Sequence, residues 1–258
     1  MIQNSPLTSN STYADEGLFT SAVNDSSYDF KDLALPQIYP AATELFQQDS
    51  AAREVFLVER GLVKLIRLEE EGRELITNLG SRGWLLGASS VIIQKNYPVT
   101  AITLTKCSLR RISAEAFRKR LRTDSQFSWY LHQRHSSEIF DQMIHVAQLG
   151  CLSARHRLEQ LFLYLISAMD LDGSNNEIRL DVPLKHWEVA ELIAVTPEHL
   201  SRMLRQMETE GILRREKGWL YFPPLIGPNI DLIPSRLRNA PTKLIPARHQ
   251  GSQLDVNQ

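Results

Sequence analysis

The chain of 258 residues is poor in cysteine, with only Cys107 and Cys151. An iron–sulfur cluster needs four thiolates, and two isolated cysteines match no metal or disulfide spacing, so both are interpreted as structural thiols. No apolar run approaches the roughly 20 residues that span a bilayer. The N-terminus also lacks the basic and apolar regions of a secretory signal. These absences predict a cytoplasmic protein without a membrane partner.

The chain also lacks an excess of positive charge, since its formal net charge is −1. This argues mildly against a nucleic-acid partner, although binding needs only a local positive face. Residues 1–30 contain no Lys or Arg and are rich in Ser, Asn and Asp, which predicts a disordered leader. Residues 223–258 hold six prolines without apolar periodicity, which predicts an irregular tail.

Short β-branched and aliphatic runs, separated by glycines, fill residues 31–113. Many short strands with glycine between them are typical of a β-sandwich, roll or barrel. We therefore predict a β-roll domain over these residues. The predicted strands lie at 55–58, 62–68, 74–78, 84–87 and 99–112.

Residues 117–149 contain no Gly or Pro, and apolar residues recur at spacings of three and four. This pattern predicts one long helix within 114–150, with Gly150 as its end and a hinge. Its seam resembles the a/d positions of a coiled coil, which favours a dimer, although a helix packed on its own domain would show the same pattern. The seam comprises Trp129, His132, Ser136, Ile139, Met143 and Val146, of which Trp129, Ile139, Met143 and Val146 are apolar.

We predict a winged helix-turn-helix domain over residues 151–222, and this domain begins with a further amphipathic helix over 157–169. Val189, Leu192 and Ile193 give one short amphipathic helix. Thr196 is a good N-cap for the next helix, and Pro197 suits its first position. Gly211 is a candidate left-handed C-cap, and 212–222 reads as two strands around a basic turn. The apolar face of the second helix comprises Leu200, Met203, Leu204 and Met207.

Polar side chains lie opposite that apolar face, near the N-terminal end of the second helix. A helix-turn-helix places such a helix in the major groove, where these residue types reach base edges and phosphates. Generic packing of two helices remains the alternative for this pattern. The predicted contacts to double-stranded DNA are Thr196, Glu198, His199, Ser201, Arg202, Arg205 and the wing residue Lys217.

Enzymatic activity is not expected. The chain has no nucleophile–base pair, phosphate loop or metal-ligand spacing, and we predict no cofactor. A competing hypothesis is a β-roll protein that binds a ligand or another protein and whose winged helix does not read DNA.

The order of roll, long helix and winged helix resembles the Crp/Fnr family of bacterial transcription regulators over residues 30–222. Its strongest local matches are VFLVERGLVKLIRLEEEGRELITNLGSRGWLLG and VTPEHLSRMLRQMETEGIL. The resemblance implies an α+β fold with a double-stranded, jelly-roll-like β-roll that senses a signal and a long helix that forms a homodimer. It further implies that the C-terminal domain binds a palindromic promoter site and that RNA polymerase is a partner.

Glu198, Ser201 and Arg202 match the three base-reading positions of Fnr-type members. Arg202 can bond a guanine bidentately and Glu198 can accept from a cytosine N4. Pro197 stands where the cAMP-receptor branch has a further arginine. The resemblance therefore implies a TTGA-like half-site rather than TGTGA. A surface ion pair between Glu198 and Arg202 is the alternative.

The sensor departs from the cAMP-binding pattern, in which a Gly-Glu-Leu segment and an Arg-Ser/Thr-Ala segment hold the ribose and the phosphate. This chain has Gly87, Ala88 and Ser89 in the first segment, and Val99 and Thr100 in the second. Ala88 removes the carboxylate and Val99 removes the cation, so cAMP is not expected to bind. These five residues remain the candidates for an effector pocket, and the effector itself is not predicted.

Haem could be held by a helix histidine such as His132 or His135. Exposed helix histidines without a ligand role are the favoured interpretation.

Overall fold

The computed structural model describes residues 28–70, 72–169 and 177–223. Residues 1–27 of the predicted leader and 224–258 of the predicted tail lie outside these ranges. Within the described ranges, no helix combines the length and the apolar character needed to cross a bilayer.

The N-terminal half is a roll of two four-stranded antiparallel sheets, with strand orders β1-β8-β3-β6 and β2-β7-β4-β5. This confirms the predicted α+β fold with an N-terminal roll. Strands β1 and β2 were not among the predicted strands. The eight strands are β1 Pro36–Tyr39, β2 Glu44–Phe46, β3 Glu54–Arg60, β4 Val63–Leu68, β5 Glu74–Gly80, β6 Leu85–Leu86, β7 Thr100–Thr103 and β8 Cys107–Ser113.

Strand β3 shows why the apolar run at 55–58 is continuous rather than alternating. Side chains of a strand point to opposite faces in turn. Phe56 and Val58 lie in the cluster between the two sheets, whereas Val55 and Leu57 lie in a second cluster beneath the helices that follow the roll. Both faces of this strand are therefore buried.

Two of the predicted strands need correction. The strand expected over 84–87 is reduced to Leu85–Leu86, because Gly87 adopts a left-handed conformation with φ of 82° and the chain then forms helix α1, Ala88–Ile93. The run expected over 99–112 is two strands in different sheets, β7 and β8, separated by residues 104–106.

The single long helix predicted over 117–149 is wrong, since the segment forms two helices, α2 Ala114–Thr123 and α3 Ser125–Cys151. Asp124 separates them, and its carboxylate accepts the backbone N–H groups of Gln126 and Phe127 at 3.0 Å each. That contact caps a new helix start without a Gly or Pro. At the other end, Gly150 lies inside the last turn of α3 rather than ending it.

The predicted leader also ends earlier than residue 30. Phe30 is buried, and its ring packs edge-on against Phe127 and Tyr130 at centroid distances of 5.9 and 5.6 Å. The Tyr28 hydroxyl donates to the Asp124 carboxylate at 2.7 Å. Residues 28–30 are thereby anchored to the start of α3.

The C-terminal part confirms a winged helix-turn-helix. A helix α4 precedes the two helices α5 and α6, and the wing hairpin β10–β11 pairs with a third strand, β9, that was not predicted. The elements are α4 Ala154–Ala168, β9 Ile178–Leu180, α5 His186–Leu192, α6 Pro197–Thr209, β10 Arg214–Glu216 and β11 Trp219–Phe222.

Candidate nucleic-acid interface

Helix α6 begins as its sequence predicts. The Thr196 hydroxyl accepts the backbone N–H of His199 at 3.2 Å, and Pro197 occupies the first helical position. Gly211, just past the helix, has φ of 73°, a left-handed conformation that glycine adopts without a steric penalty. The helix is fixed to the domain by its predicted apolar face, since Leu200, Met203, Leu204 and Met207 are all buried.

The opposite face of α6 carries the predicted base-reading residues. The side chains of Glu198, Arg202 and Arg205 are exposed, and that of Ser201 is half-buried. They occupy the N-terminal two-thirds of the helix, the part that enters a major groove in helix-turn-helix proteins. The structure therefore brings four predicted contacts together on one solvent-facing surface.

The surroundings of Glu198 favour the ionised form of its carboxyl. Its own backbone N–H and then the Thr196 hydroxyl lower its pKa below the usual range, with smaller contributions from Arg202 and His186. An ionised carboxylate only accepts hydrogen bonds. On the exposed surface it matches a donor such as the cytosine amino group.

The wing places Lys217 at its tip. Lys217 and Gly218 both have positive φ, 50° and 86°, as a tight two-residue hairpin turn requires. The arginines of β10 are engaged within the domain: Arg214 pairs with Glu177 and with Glu216, and Arg215 pairs with Glu208. The wing therefore offers its lysine to a phosphate more readily than its arginines.

His186 is a residue of this surface that sequence reasoning missed. It is the first residue of α5, it is exposed, and its Nε2 lies 3.3 Å from the Ser201 hydroxyl oxygen. Periodicity could not have found it, because the contact arises from the crossing of α5 and α6.

A buried ion pair joins the roll to the first helix of the helix-turn-helix. The Lys64 ammonium on β4 lies 2.7 Å from the Glu188 carboxylate on α5, and their side chains are 15% and 3% exposed. The second oxygen of Glu188 accepts the backbone N–H of Lys185 at 2.7 Å. Both carboxylate oxygens are thus bonded, as a buried charge requires.

Further contacts between the same elements surround this pair. Glu191 accepts from the Arg73 guanidinium and from the backbone N–H of Ile76, at 3.4 Å in each case. The buried Tyr164 hydroxyl on α4 donates to the carbonyl of Leu79 at 2.7 Å. These contacts with the roll therefore fix the orientation of α5, and because α5 packs against α6, they fix that of α6 as well. One apolar cluster contains roll residues Leu62, Ile66, Ile76 and Leu79 together with buried residues of α4, α5, α6 and the wing.

The five effector-pocket candidates are not gathered at one open site. Gly87 is packed so closely that a Cβ there would lie 2.7 Å from the Tyr97 ring. Ala88 is buried and Val99 packs against the cluster between the sheets. The Thr100 hydroxyl accepts the backbone N–H of Gln48 at 2.9 Å.

Few groups among the five candidates could contact a cyclic phosphate. Ala88 and Val99 offer neither an acceptor for a ribose nor a cation, and the Thr100 hydroxyl has a partner within the roll. Arg67 donates to the carbonyl of Pro98 beside this segment, but it also pairs with Glu69. A cyclic nucleotide would therefore lack a dedicated counter-charge here.

Ser89, the remaining candidate, lines a cleft of about 760 Å³ between the roll and α3. His135 contributes to the α3 wall, and burial lowers the pKa of its imidazole, with smaller effects from Arg134 and His132. His132 is exposed as expected, whereas His135 is half-buried. The lining residues are Asn78, Trp84, Ser89, His135, Glu138, Ile139, Gln142, Met143 and Val146.

The predicted dimer seam is exposed along α3. Trp129, Ile139, Met143 and Val146 are 65%, 63%, 67% and 68% exposed. A row of large apolar side chains in water is typical of a surface that another protein covers.

The described residues contain no group of three or more His, Cys, Asp or Glu side chains placed to hold a metal ion. The Cys107 thiol is buried and donates to the Leu62 carbonyl at 3.3 Å, and burial raises its pKa. The Cys107 thiol is therefore part of the packed interior of the roll.

Each half of the chain matches a known domain family. Residues 36–124 match the cyclic nucleotide-binding domain profile, and residues 156–222 match that of the Crp-like helix-turn-helix domain. A curated relative, the nitrogen fixation regulation protein FixK of Azorhizobium caulinodans, is 22% identical over 70% of this chain and 72% of its own length. The cAMP-activated global transcriptional regulator CRP of Salmonella typhimurium is 20% identical over 68% of this chain and 83% of its own.

The fold is likewise found among solved structures. The structure of FixK2 from Bradyrhizobium japonicum superposes with a TM-score of 0.62 at 22% identity, covering 80% of this chain and 96% of that one.

Proposed function

We propose, since this chain belongs to the Crp/Fnr family of DNA-binding transcriptional regulators, that it acts as a homodimer on a palindromic promoter site with TTGA-like half-sites. The observation that carries this proposal is the placement of Glu198, Ser201 and Arg202 on the solvent-facing side of a helix whose other face is buried.

The chemistry of that row fits base reading. A guanidinium bonds the O6 and N7 of guanine bidentately, and an ionised carboxylate accepts from the N4 of cytosine. Arg202 and Glu198 lie one helical turn apart, so both can reach adjacent base pairs. Pro197 has no N–H and no polar side chain, so it cannot supply the further contact that the cAMP-receptor branch makes there.

The exposed apolar row of α3 supports the homodimer. A second copy of α3 would cover Trp129, Ile139, Met143 and Val146. It would also place two helix-turn-helix domains, the reading heads of the dimer, about a two-fold axis. A two-fold reader matches a palindromic site, because each head then meets the same half-site.

The signal is proposed to be something other than cAMP, because the cassette lacks both the carboxylate and the cation that cAMP would need. The cleft between the roll and α3 shares Ile139, Met143 and Val146 with the proposed seam. In the proposed dimer the second copy of α3 would therefore border this cleft, and an effector that contacts Ser89 would lie beside the interface. RNA polymerase is the proposed further partner, and the cytoplasm the proposed location.

Selection of bound sites from random double-stranded DNA tests this function. The wild-type chain should enrich a palindrome, and Arg202→Ala should relax selection at one base pair per half-site, at a cost of about 1–3 kcal/mol in discrimination. Arg205, further from the N-terminal end of α6, is proposed to contact a phosphate, so Arg205→Ala is the matched control. Loss of that contact should weaken binding to all sequences and reduce the salt dependence by about one ion per half-site. Wild-type chain that enriches no sequence, or Arg202→Ala with unchanged selection, would contradict the proposal in favour of a ligand-binding or protein-interaction role.

A further inference from the structure

The imidazole of His186 connects the two helices of the reading head on their solvent side. It extends from the first turn of α5, and its Nε2 lies 3.3 Å from the hydroxyl oxygen of Ser201 on α6. Ser201 is flanked on the same surface by Glu198 and Arg202, and His186 is close enough to Glu198 to help lower the pKa of its carboxyl. His186 therefore stands among the base-reading residues, although it belongs to a different helix.

The backbone that carries His186 is held from two sides. The preceding residue, Lys185, donates its backbone N–H to Glu188 at 2.7 Å. Glu188 is in turn bonded to the Lys64 ammonium from the roll. A side chain that starts from a fixed helical turn loses little freedom when it makes one further contact.

The hydrogen bond between His186 and Ser201 matters because a serine hydroxyl can both donate and accept. It has one donor hydrogen and two acceptor lone pairs, and it rotates to suit its partner. If the imidazole donates, the Ser201 hydrogen is left for a base acceptor, such as O4 of thymine or N7 of a purine. If Ser201 donates to the imidazole, only its lone pairs face the groove, and they suit the amino group of adenine or cytosine. In the second case the hydroxyl can no longer donate to a base. In the first case it keeps one lone pair, but the imidazole N–H occupies the other and directs the hydroxyl hydrogen away from the imidazole.

We propose that His186 is a positioning residue that fixes the direction of the Ser201 hydroxyl and so sets the base preference at the pair that Ser201 reads. The inference rests on the proposed function, because it requires that α6 reads DNA. It adds a specificity determinant from α5, outside the recognition helix.

The test compares wild type, His186→Ala, Ser201→Ala and the double variant by site selection and by affinities for sites that differ at one base pair. The pair read by Ser201 is identified as the one whose preference changes in Ser201→Ala. His186→Ala should lower discrimination at that same pair about fivefold, the usual net effect of one neutral hydrogen bond. The double variant should discriminate no worse than Ser201→Ala, because the two residues act as one unit.

Two further variants distinguish a positioning role of His186 from an effect of its charge. His186→Gln, whose amide can bond the same hydroxyl, should retain the preference. Lys185→Ala removes an exposed cation from the same turn and should weaken all sequences equally. His186 is exposed, and equal melting temperatures would show that the variants fold alike.

The outcomes distinguish the two proposals. A wild-type chain that selects no sequence overturns the proposed function. A wild-type chain that selects a site, with His186→Ala keeping the same profile, overturns this inference alone. A uniform loss of affinity in His186→Ala, like that of Lys185→Ala, overturns it too, because His186 would then be a phosphate contact.

Discussion

Replacing Lys64 with Met removes one partner of the buried ion pair that joins the roll to α5. Glu188 is 3% exposed, so its charge would remain without a counter-ion in a site closed to water. Removing one partner of a buried pair costs about 3–5 kcal/mol. We expect about 3 kcal/mol here, the lower end of that range, because Glu188 keeps the backbone N–H of Lys185. For a chain of this size that loss lowers the melting temperature by about 6–12 °C.

The assay is urea unfolding of wild type, Lys64→Met and the double variant Lys64→Met/Glu188→Gln. The double variant should recover part of the loss, since glutamine carries no charge and can still accept from Lys185. Arg67→Met is the matched control on the same strand. Its pair with Glu69 is 46% and 47% exposed, so the cost should be within about 1 kcal/mol. Equal losses for Lys64→Met and Arg67→Met would refute the reasoning, because the roll and α5 would then not exclude water from the pair in solution.

Three further predictions concern other parts of the chain. Ile139→Glu should convert a dimer to a monomer in analytical ultracentrifugation, because a charge would lie in the proposed seam. Burial and a hydrogen bond to Asp124 raise the pKa of Tyr28 from 10.0 to about 12. The stability that the protonated Tyr28 hydroxyl contributes is therefore present below pH 10 and is lost as the pH rises towards 12. In Tyr28→Phe the free energy of unfolding should fall less over this alkaline range. Gly87→Ala should destabilise the roll by about 1–3 kcal/mol in urea unfolding, because φ is 82° and the new Cβ would meet a tyrosine ring.

The predictions for Ile139 and Gly87 each have a control variant, and that for Tyr28 has a refuting outcome. Gln133→Glu places the same charge on an exposed polar position of α3 and should leave the dimer intact. An unchanged sedimentation coefficient in Ile139→Glu would contradict the seam. Gly72→Ala shares the positive φ but meets open space, so it should cost less than Gly87→Ala; equal costs would show that close packing at Gly87 is unimportant. A Tyr28→Phe curve parallel to that of wild type above pH 10 would exclude the raised pKa.

The reading helix was predictable because its signals are local. Thr196 caps the helix, Pro197 occupies its first turn, and the buried residues recur at helical spacing within 13 residues. Each of these features acts through neighbours in the sequence, so the residues alone determine them.

The features that were predicted wrongly or missed are mostly those determined by contacts between residues far apart in the sequence. Asp124 looks like an ordinary polar helix residue, but it caps α3 and bonds Tyr28, 96 residues away in the sequence. Helix α1 was not predicted, because residues 31–113 were expected to form strands and turns; its Val91, Ile92 and Ile93 are β-branched, a residue type that is enriched in strands. No periodicity links Lys64 with Glu188, which are 124 residues apart. The domain orientation therefore could not be read from the sequence.

The apolar cluster shared by the roll and the C-terminal helices limits how this chain can be divided or recombined. A fragment that stops after α3 would leave Leu62, Ile66, Ile76 and Leu79 facing water, and these side chains are at most 7% exposed in the whole chain. Such a fragment is expected to be less soluble than the whole chain. A hybrid that takes its reading head from another regulator would need a head whose surface fits the β4–β5 hairpin. The two halves match separate family profiles, yet each depends on the other for part of its interior.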